Sequence, residues 1–206
     1  MCSIIASFKK EKLEALVDLN QFRGNFSFSY LELETGESTK QFGRYNKDVI
    51  VNNQNYKISH LQAPTGGLIQ DINRIHPTMI NNTKLYHNGI ITPRGVKFLQ
   101  NKLNCTETFD TWLLHKSIEE FGFDILSEIE GLFSCLYIKD GKIFIFRTKH
   151  GKLYIDEEMS ISSERFDISK CINYDTVYDL DLINKNVNII NKFKTLRCNI
   201  IVPGEM

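Results

Sequence analysis

The stretch Lys84-Leu85-Tyr86-His87-Asn88-Gly89-Ile90-Ile91-Thr92-Pro93 holds the change from sheet to helix in this chain. Its first part reads as a strand, with Asn88-Gly89 as the turn that ends it. Thr92-Pro93 reads as an N-cap followed by proline in the first helical turn, with Val96, Leu99 and Leu103 on the buried face. Downstream, Asp110 precedes a second central helix carrying Leu114, Ile118 and Phe121, and Gly122 is placed to end it. Leu132 to Ile138 and Ile143 to Arg147 flank Asp140-Gly141, a strong hairpin signal. Upstream, Cys2 to Phe8 reads as a strand and the run through Leu13, Leu16 and Val17 as an amphipathic helix. Strands are expected at Phe26 to Tyr30, Lys40 to Tyr45 and Tyr56 to Gln62. Beyond Gly151 only short strands are expected: near Leu153, at Met159 to Ser162, at Val177 to Leu182 and at Leu196 to Val202. No repeat, linker or composition break interrupts the pattern. The economical reading is one α+β domain over 1–206.

Composition narrows the function classes. The 206 residues carry 25 basic and 25 acidic side chains. That balance argues against a dedicated nucleic-acid binder or a membrane-surface protein, so neither nucleic acid nor membrane is expected as a partner. Apolar residues at 42% exclude wholesale disorder. The chain has 25 Ile, 18 Asn and 18 Lys against 7 Arg, a bias that an AT-rich coding genome produces. The five cysteines (Cys2, Cys105, Cys135, Cys171 and Cys198) are odd in number and widely spaced. They fit a reducing cytosol better than a disulfide scaffold, and no C-x-x-C metal or redox pair occurs. The expected location is the cytoplasm, or a host cytoplasm or virion if the chain is virus-encoded. No metal site and no cofactor are expected.

Four features could carry chemistry. Cys2, once Met1 is removed, would hold a thiol and a free α-amine; an amine with a pKa of roughly 7.7–8.0 can act as base to its own nucleophile. Taken alone, a second-position cysteine is most often an ordinary residue. Asn88 and the Gly89 N–H could together form an oxyanion hole, although Asn-Gly alone reads better as a turn. The loop His60-Leu61-Gln62-Ala63-Pro64-Thr65-Gly66-Gly67 could approach a ligand closely or simply join two strands. Asp110 could hold a substrate ammonium or cap its helix, and alone the cap is favoured.

The four occur together in one order, and the ordered set resembles the class II glutamine amidotransferases, whose glutaminase domains are N-terminal-nucleophile (Ntn) hydrolases. Met1-Cys2-Ser3-Ile4-Ile5-Ala6 looks like the opening M-C-G-I-x-G. Phe22-Arg23-Gly24-Asn25-Phe26-Ser27 resembles Y-R-G-x-D-S. His60 to Gly67 lines up with H-T-R-Y-P-T-A-G, and Tyr86 to Ile91 is similar to H-N-G-I-I. Phe109-Asp110-Thr111-Trp112 through Leu114-His115 resembles S-D-T-E-x-L-L-H. Glu130 to Ser134 and Arg147 to Tyr154 look like L-x-G-M-F-A and R-D-x-x-G-x-K-P-L-Y.

The resemblance implies a four-layer αββα sandwich of two antiparallel sheets. It implies hydrolysis of the glutamine side-chain amide, or of a related amide, to an acid and ammonia. In that scheme Cys2 is nucleophile and α-amine base, and Asn88 and Gly89 hold the oxyanion. Asp110 takes the α-ammonium, Thr65 and Gly66 line the substrate pocket, and His87 stands among the substrate-binding residues. Three departures stand against it. Gln62 occupies the position of the arginine that clamps the α-carboxylate, a change worth on the order of 1.5–3 kcal/mol of binding. Arg23 and Arg74 are the nearby cations that could substitute. A retained Met1 would acylate the Cys2 amine and remove the base. No synthase domain is expected in 1–206, so ammonia would pass to a separate synthase subunit. The alternatives are a catalytically silent binding or assembly module, such as a virus particle component, and a hydrolase for another amide.

Overall fold

The structure, a computed structural model, describes residues 1–63 and 71–196. Strand β1 (Ser3–Ser7) leads into helix α1 (Lys10–Asn20), followed by β2 (Ser27–Glu32), β3 (Ser38–Phe42) and β4 (Lys57–Gln62). Next come β5 (Thr78–Ile80), β6 (Thr83–Ile91), α2 (Pro93–Leu103), α3 (Asp110–Phe121), β7 (Gly131–Lys139) and β8 (Lys142–Arg147). The described part ends with β9 (Tyr154–Ile155), β10 (Ile161–Ser162), β11 (Lys170–Cys171), β12 (Thr176–Asp181) and β13 (Asn186–Lys192). Two sheets form, in the orders β11-β9-β10-β1-β4-β2-β3 and β13-β12-β8-β7-β6-β5. Every pairing between neighbours is antiparallel.

Side-chain parity explains the layering. Along β1, Ile4 and Ala6 join Ile58, Tyr86 and Leu136 between the sheets, while Ile5 turns outward to Leu13, Leu16 and Val17 of α1. Along β6, Tyr86 faces inward, whereas Leu85 faces Leu113, Leu114 and Ile118 of α3. The result is helix, sheet, sheet, helix, the four-layer αββα sandwich that the resemblance implies. Both faces of the sheets are covered, so all five residues of β1 are buried and strict apolar–polar alternation disappears. Burying Ile4 and Ile5 contributes about 1.5–3 kcal/mol each, against about 1–2 kcal/mol per residue for ordering the backbone. The strand directly behind Cys2 is therefore held to its first residues.

The local devices follow the sequence in several places. Thr92 caps α2, its Oγ1 accepting from the Gly95 N–H at 3.0 Å, with Pro93 in the first turn. Gly122 leaves α3 with φ 69°, and Asp140 and Gly141 take φ 51° and 74° in the hairpin between β7 and β8. In other places the structure corrects the reading. Asn88-Gly89 is not a turn: β6 runs through both to Ile91, with Asn88 opposite Ser134 and Gly89 opposite Phe133. Strand pairing with β7 outweighs the local turn preference. Asp110 does not cap α3 but is its first residue; the cap position is Phe109, which makes no side-chain cap bond. β5, β11 and β13 were not expected. The strand expected at Leu196 to Val202 lies almost wholly outside the described residues.

Candidate active site

Cys2 sits one residue ahead of β1, on the face that Ile4 and Ala6 turn toward the second sheet. It is 6% exposed, whereas Met1 beside it is 70% exposed. The chain thus buries the thiol and projects the methionine into solvent. Burial pushes the Cys2 thiol up, and the Asp110 carboxylate adds to that; a bond from the Ala63 backbone and the Arg23 charge pull the other way. A thiol raised in this way does not ionise unaided near neutrality and needs a base. Arg23 donates from Nε to the Cys2 carbonyl at 3.0 Å and pairs with Glu164 through Nη1. It is buried and fully engaged.

The second sheet brings Asn88 toward this strand. Asn88 shares the inward face of β6 with Tyr86, and its Nδ2 donates to Ser163 Oγ at 3.2 Å. Ser163 follows β10 and belongs to the ladder beside β1, where its Oγ also accepts from the Ile4 N–H at 2.9 Å. Gly89 cannot carry a side chain. Its φ is +152°, and an added Cβ would lie 2.1 Å from the Leu132 carbonyl oxygen and 2.5 Å from Phe133 Cα. Strand β7 packs directly on that position.

Asp110 closes the end of β6. Its Oδ1 accepts from the Thr111 N–H at 2.7 Å and its Oδ2 from the Ile91 N–H at 3.4 Å. His87 points to the α3 side of β6, away from Asn88, with Nδ1 2.9 Å from Thr111 Oγ1 and its ring edge-on to Phe133. It lies beneath the start of α3 as support for Asp110 and Thr111. Burial lowers its pKa, opposed by the Asp110 charge, so it stays neutral.

Gln62 is occupied on both ends of its amide. Its Oε1 accepts from Ser27 Oγ at 2.8 Å, and its Nε2 donates to the Arg74 carbonyl at 3.0 Å. β4 pairs Leu61 with Ser3, so Gln62 stands across from Cys2. The side chain that replaces the expected arginine therefore fastens the segment carrying Arg74 to the sheet. The Arg74 guanidinium lies over the Phe109 ring at 5.5 Å, beside Asp110 in sequence. Its acidic neighbours are loose, Asp71 at 4.0 Å and Glu107 at 3.8 Å, with a third of the side chain exposed. Thr65 and Gly66 lie outside the described residues.

Behind these groups the sheets enclose a histidine stack. His60 and His76 rings lie 4.2 Å apart, His60 Nε2 is 3.1 Å from the His87 carbonyl, and His76 Nδ1 accepts from the His87 N–H at 3.2 Å. Burial holds His60 down at about 3 and His76 well below its usual value. Sequence reasoning gave Ser27 no role beyond its place in the Phe22–Ser27 motif and missed His76 and Ser163. Each works through a partner distant in sequence. Among the described residues no cluster of His, Cys, Asp or Glu is arranged to hold a metal ion. No helix among them is long and apolar enough to cross a membrane.

No family model and no curated protein matches the sequence. Solved structures do match the fold. A glutamine phosphoribosylpyrophosphate amidotransferase from B. subtilis, complexed with ADP and GMP, superposes with a TM-score of 0.70 at 15% identity, over 94% of this chain and 49% of that one. A structure of the allosteric regulatory enzyme of purine biosynthesis gives a TM-score of 0.67 at 16% identity, with the same coverage of 94% and 49%. The chain spans about half the length of each. At these identities the likeness is one of fold.

Proposed function

We propose that this chain is a glutamine amidotransferase-like hydrolase that releases ammonia from the glutamine side-chain amide through a thioester on Cys2. The observation that supports the reading is the Ser163 hydroxyl, which joins the strand that starts directly after the buried Cys2 to Asn88 of the other sheet. After removal of Met1, the Cys2 α-amine takes the thiol proton and sulfur bonds to the amide carbon. The carbonyl oxygen becomes an oxyanion between Asn88 Nδ2 and the Gly89 N–H. As the C–N bond breaks, the α-ammonium returns its proton to nitrogen and ammonia leaves. Water, deprotonated by the same amine, then attacks the thioester, giving glutamate and the free thiol. Asp110 binds the substrate ammonium. Arg74 replaces the missing clamp on the carboxylate, because Arg23 is committed to Glu164 and the Cys2 carbonyl.

The ammonia passes to a partner synthase or assembly, in a cytoplasmic setting. The test is glutamate release by protein whose mass shows Met1 removed, together with labelling of Cys2 by a diazo-ketone glutamine analogue. Turnover with labelling at Cys2 supports the reading, and correctly processed protein that does neither overturns it. The occupied Gln62 amide favours one second reading, a hydrolase for an amide without an α-carboxylate. Faster turnover of a simple carboxylate-free amide than of glutamine distinguishes it.

A further inference from the structure

We infer that Ser163 is a positioning residue that sets the orientation of the Asn88 amide for the reaction, an inference that rests on the function proposed above. Among the described residues the Asn88 side chain makes one hydrogen bond, from Nδ2 to Ser163 Oγ at 3.2 Å. An amide held at one point can turn end for end if that point is lost, presenting Oδ1 where an N–H donor is needed. Facing a developing oxyanion, an oxygen repels where a donor stabilises. Ser163 is suited to hold the amide because its own position is fixed. Its N–H donates to the Ile4 carbonyl at 3.1 Å, and its Oγ accepts from the Ile4 N–H at 2.9 Å. The serine is wholly buried. One lone pair of the hydroxyl faces β1 and the other receives the Asn88 N–H. The second N–H of Nδ2 makes no other hydrogen bond among the described residues. The hydroxyl thereby ties the strand of the nucleophile to the strand of the oxyanion donor across the two sheets.

Ser162, its neighbour, provides the comparison. It is also wholly buried, and its Oγ also accepts two bonds, from Asn20 Nδ2 at 2.9 Å and from the Glu164 N–H at 3.1 Å. It faces α1 and does not touch Asn88. The experiment measures kcat and KM for glutamine, with thermal midpoints, in Ser163→Ala, Ser162→Ala, Asn88→Ala and the Ser163→Ala/Asn88→Ala double variant of the Met1-processed protein. Ser163→Ala lowers kcat about ten- to a hundredfold, below the loss on removing an oxyanion donor outright, with KM within about twofold. It adds nothing in the Asn88→Ala background. Ser162→Ala keeps kcat within about twofold even where its midpoint falls as far. The inference is overturned by unchanged kcat in Ser163→Ala, by an equal further loss in the Asn88→Ala background, or by an equal loss in Ser162→Ala. If Ser163→Ala does not fold, Ser163→Cys, whose sulfur is a weak acceptor, carries the same comparison. Wild-type protein that turns over glutamine while Ser163→Ala matches it defeats this inference alone. Inactive processed wild type defeats the underlying function and the inference with it.

Discussion

The two halves of the site are built in opposite ways. On the proposed reaction side, Asn88 and Gly89 lie inside a nine-residue strand, and β7 packs so closely on Gly89 that an added Cβ would meet Leu132 O at 2.1 Å. On the proposed recognition side, Gln62 holds Arg74 by its backbone carbonyl, while among the described residues the acidic partners of the guanidinium are loose, at 3.8 and 4.0 Å. The first half is fixed by a sheet; the second is held by side chains, Gln62 on the Arg74 carbonyl and Lys40 Nζ on the Ile75 and Pro77 carbonyls at 2.7 Å each. Oxyanion stabilisation needs donors fixed to a fraction of an ångström, and a carboxylate can be met by a longer, more mobile cation. The largest expected effect follows from the first half. Gly89→Ala forces a side chain onto the β7 backbone at a left-handed φ, costing about 4 kcal/mol from strain and overpacking together. Chemical denaturation measures it, and a loss below about 1 kcal/mol would show that β7 yields and that the two halves are equally plastic.

The reaction half also has a titratable backing. His60, His76 and His87 are buried neutral behind it, and His115, held by Thr78 and Thr83 at 2.8 Å each, lies further off on α3. Burial lowers His60 to about 3 and His115 to about 4. In the unfolded chain each titrates near 6.5, so below that pH the unfolded state binds more protons than the folded one. The stability these groups contribute is complete above about 6.5 and falls with pH toward about 4 for His115 and about 3 for His60. Each neutral histidine loses about 1.4 kcal/mol per pH unit within its window, so these two alone remove nearly 3. Urea unfolding at pH 7, 6 and 5 checks this, and a flat profile breaks it.

The same contrast decides what could be read from residues alone. The caps and turns around α2, α3 and the β7–β8 hairpin depend on neighbouring residues, and Thr92, Pro93, Gly122 and Asp140-Gly141 announce them. Asn88-Gly89 misled as a turn because the force that straightens it is pairing with Ser134 and Phe133, over forty residues away. β13 went unread because its residues are mostly exposed on both sides at a sheet edge, so no burial periodicity marks Asn186 to Lys192. The roles proposed for Cys2, Asn88, Gly89 and Asp110 rest on their ordered set, not on any one of them. The occupation of Gln62 was not legible, since its partners lie 35 residues before it and 12 after it.

A middle-sized effect tests whether Gln62 is structural. Gln62→Leu keeps bulk at a buried position but strips the acceptor from Ser27 and the donor from the Arg74 carbonyl. Leaving those groups unpaired costs about 2 kcal/mol of stability, and loosening the Arg74 end of the segment raises KM for glutamine more than it changes kcat. Unfolding curves and steady-state kinetics on the same variant report both. Unchanged stability would mean that Gln62 does not fasten the recognition half.

The smallest effect isolates Arg74 itself. Its guanidinium rests on Phe109 and is partly exposed, and its partners are near the limit of ion-pair distance, so removal costs the fold little. Arg74→Ala is therefore expected to leave the unfolding free energy within about 0.5 kcal/mol. If this cation meets the substrate carboxylate, KM for glutamine rises about tenfold, the equivalent of about 1.4 kcal/mol, at nearly constant kcat, because the contact is made equally in ground and transition states. Arg74→Lys recovers part of the loss, as a point charge replaces a fork. The sharper measurement is the ratio of turnover between glutamine and an amide lacking the carboxylate. Arg74→Ala should depress the first and leave the second alone. An equal loss on both substrates would remove Arg74 from carboxylate recognition and leave the recognition half without a cation.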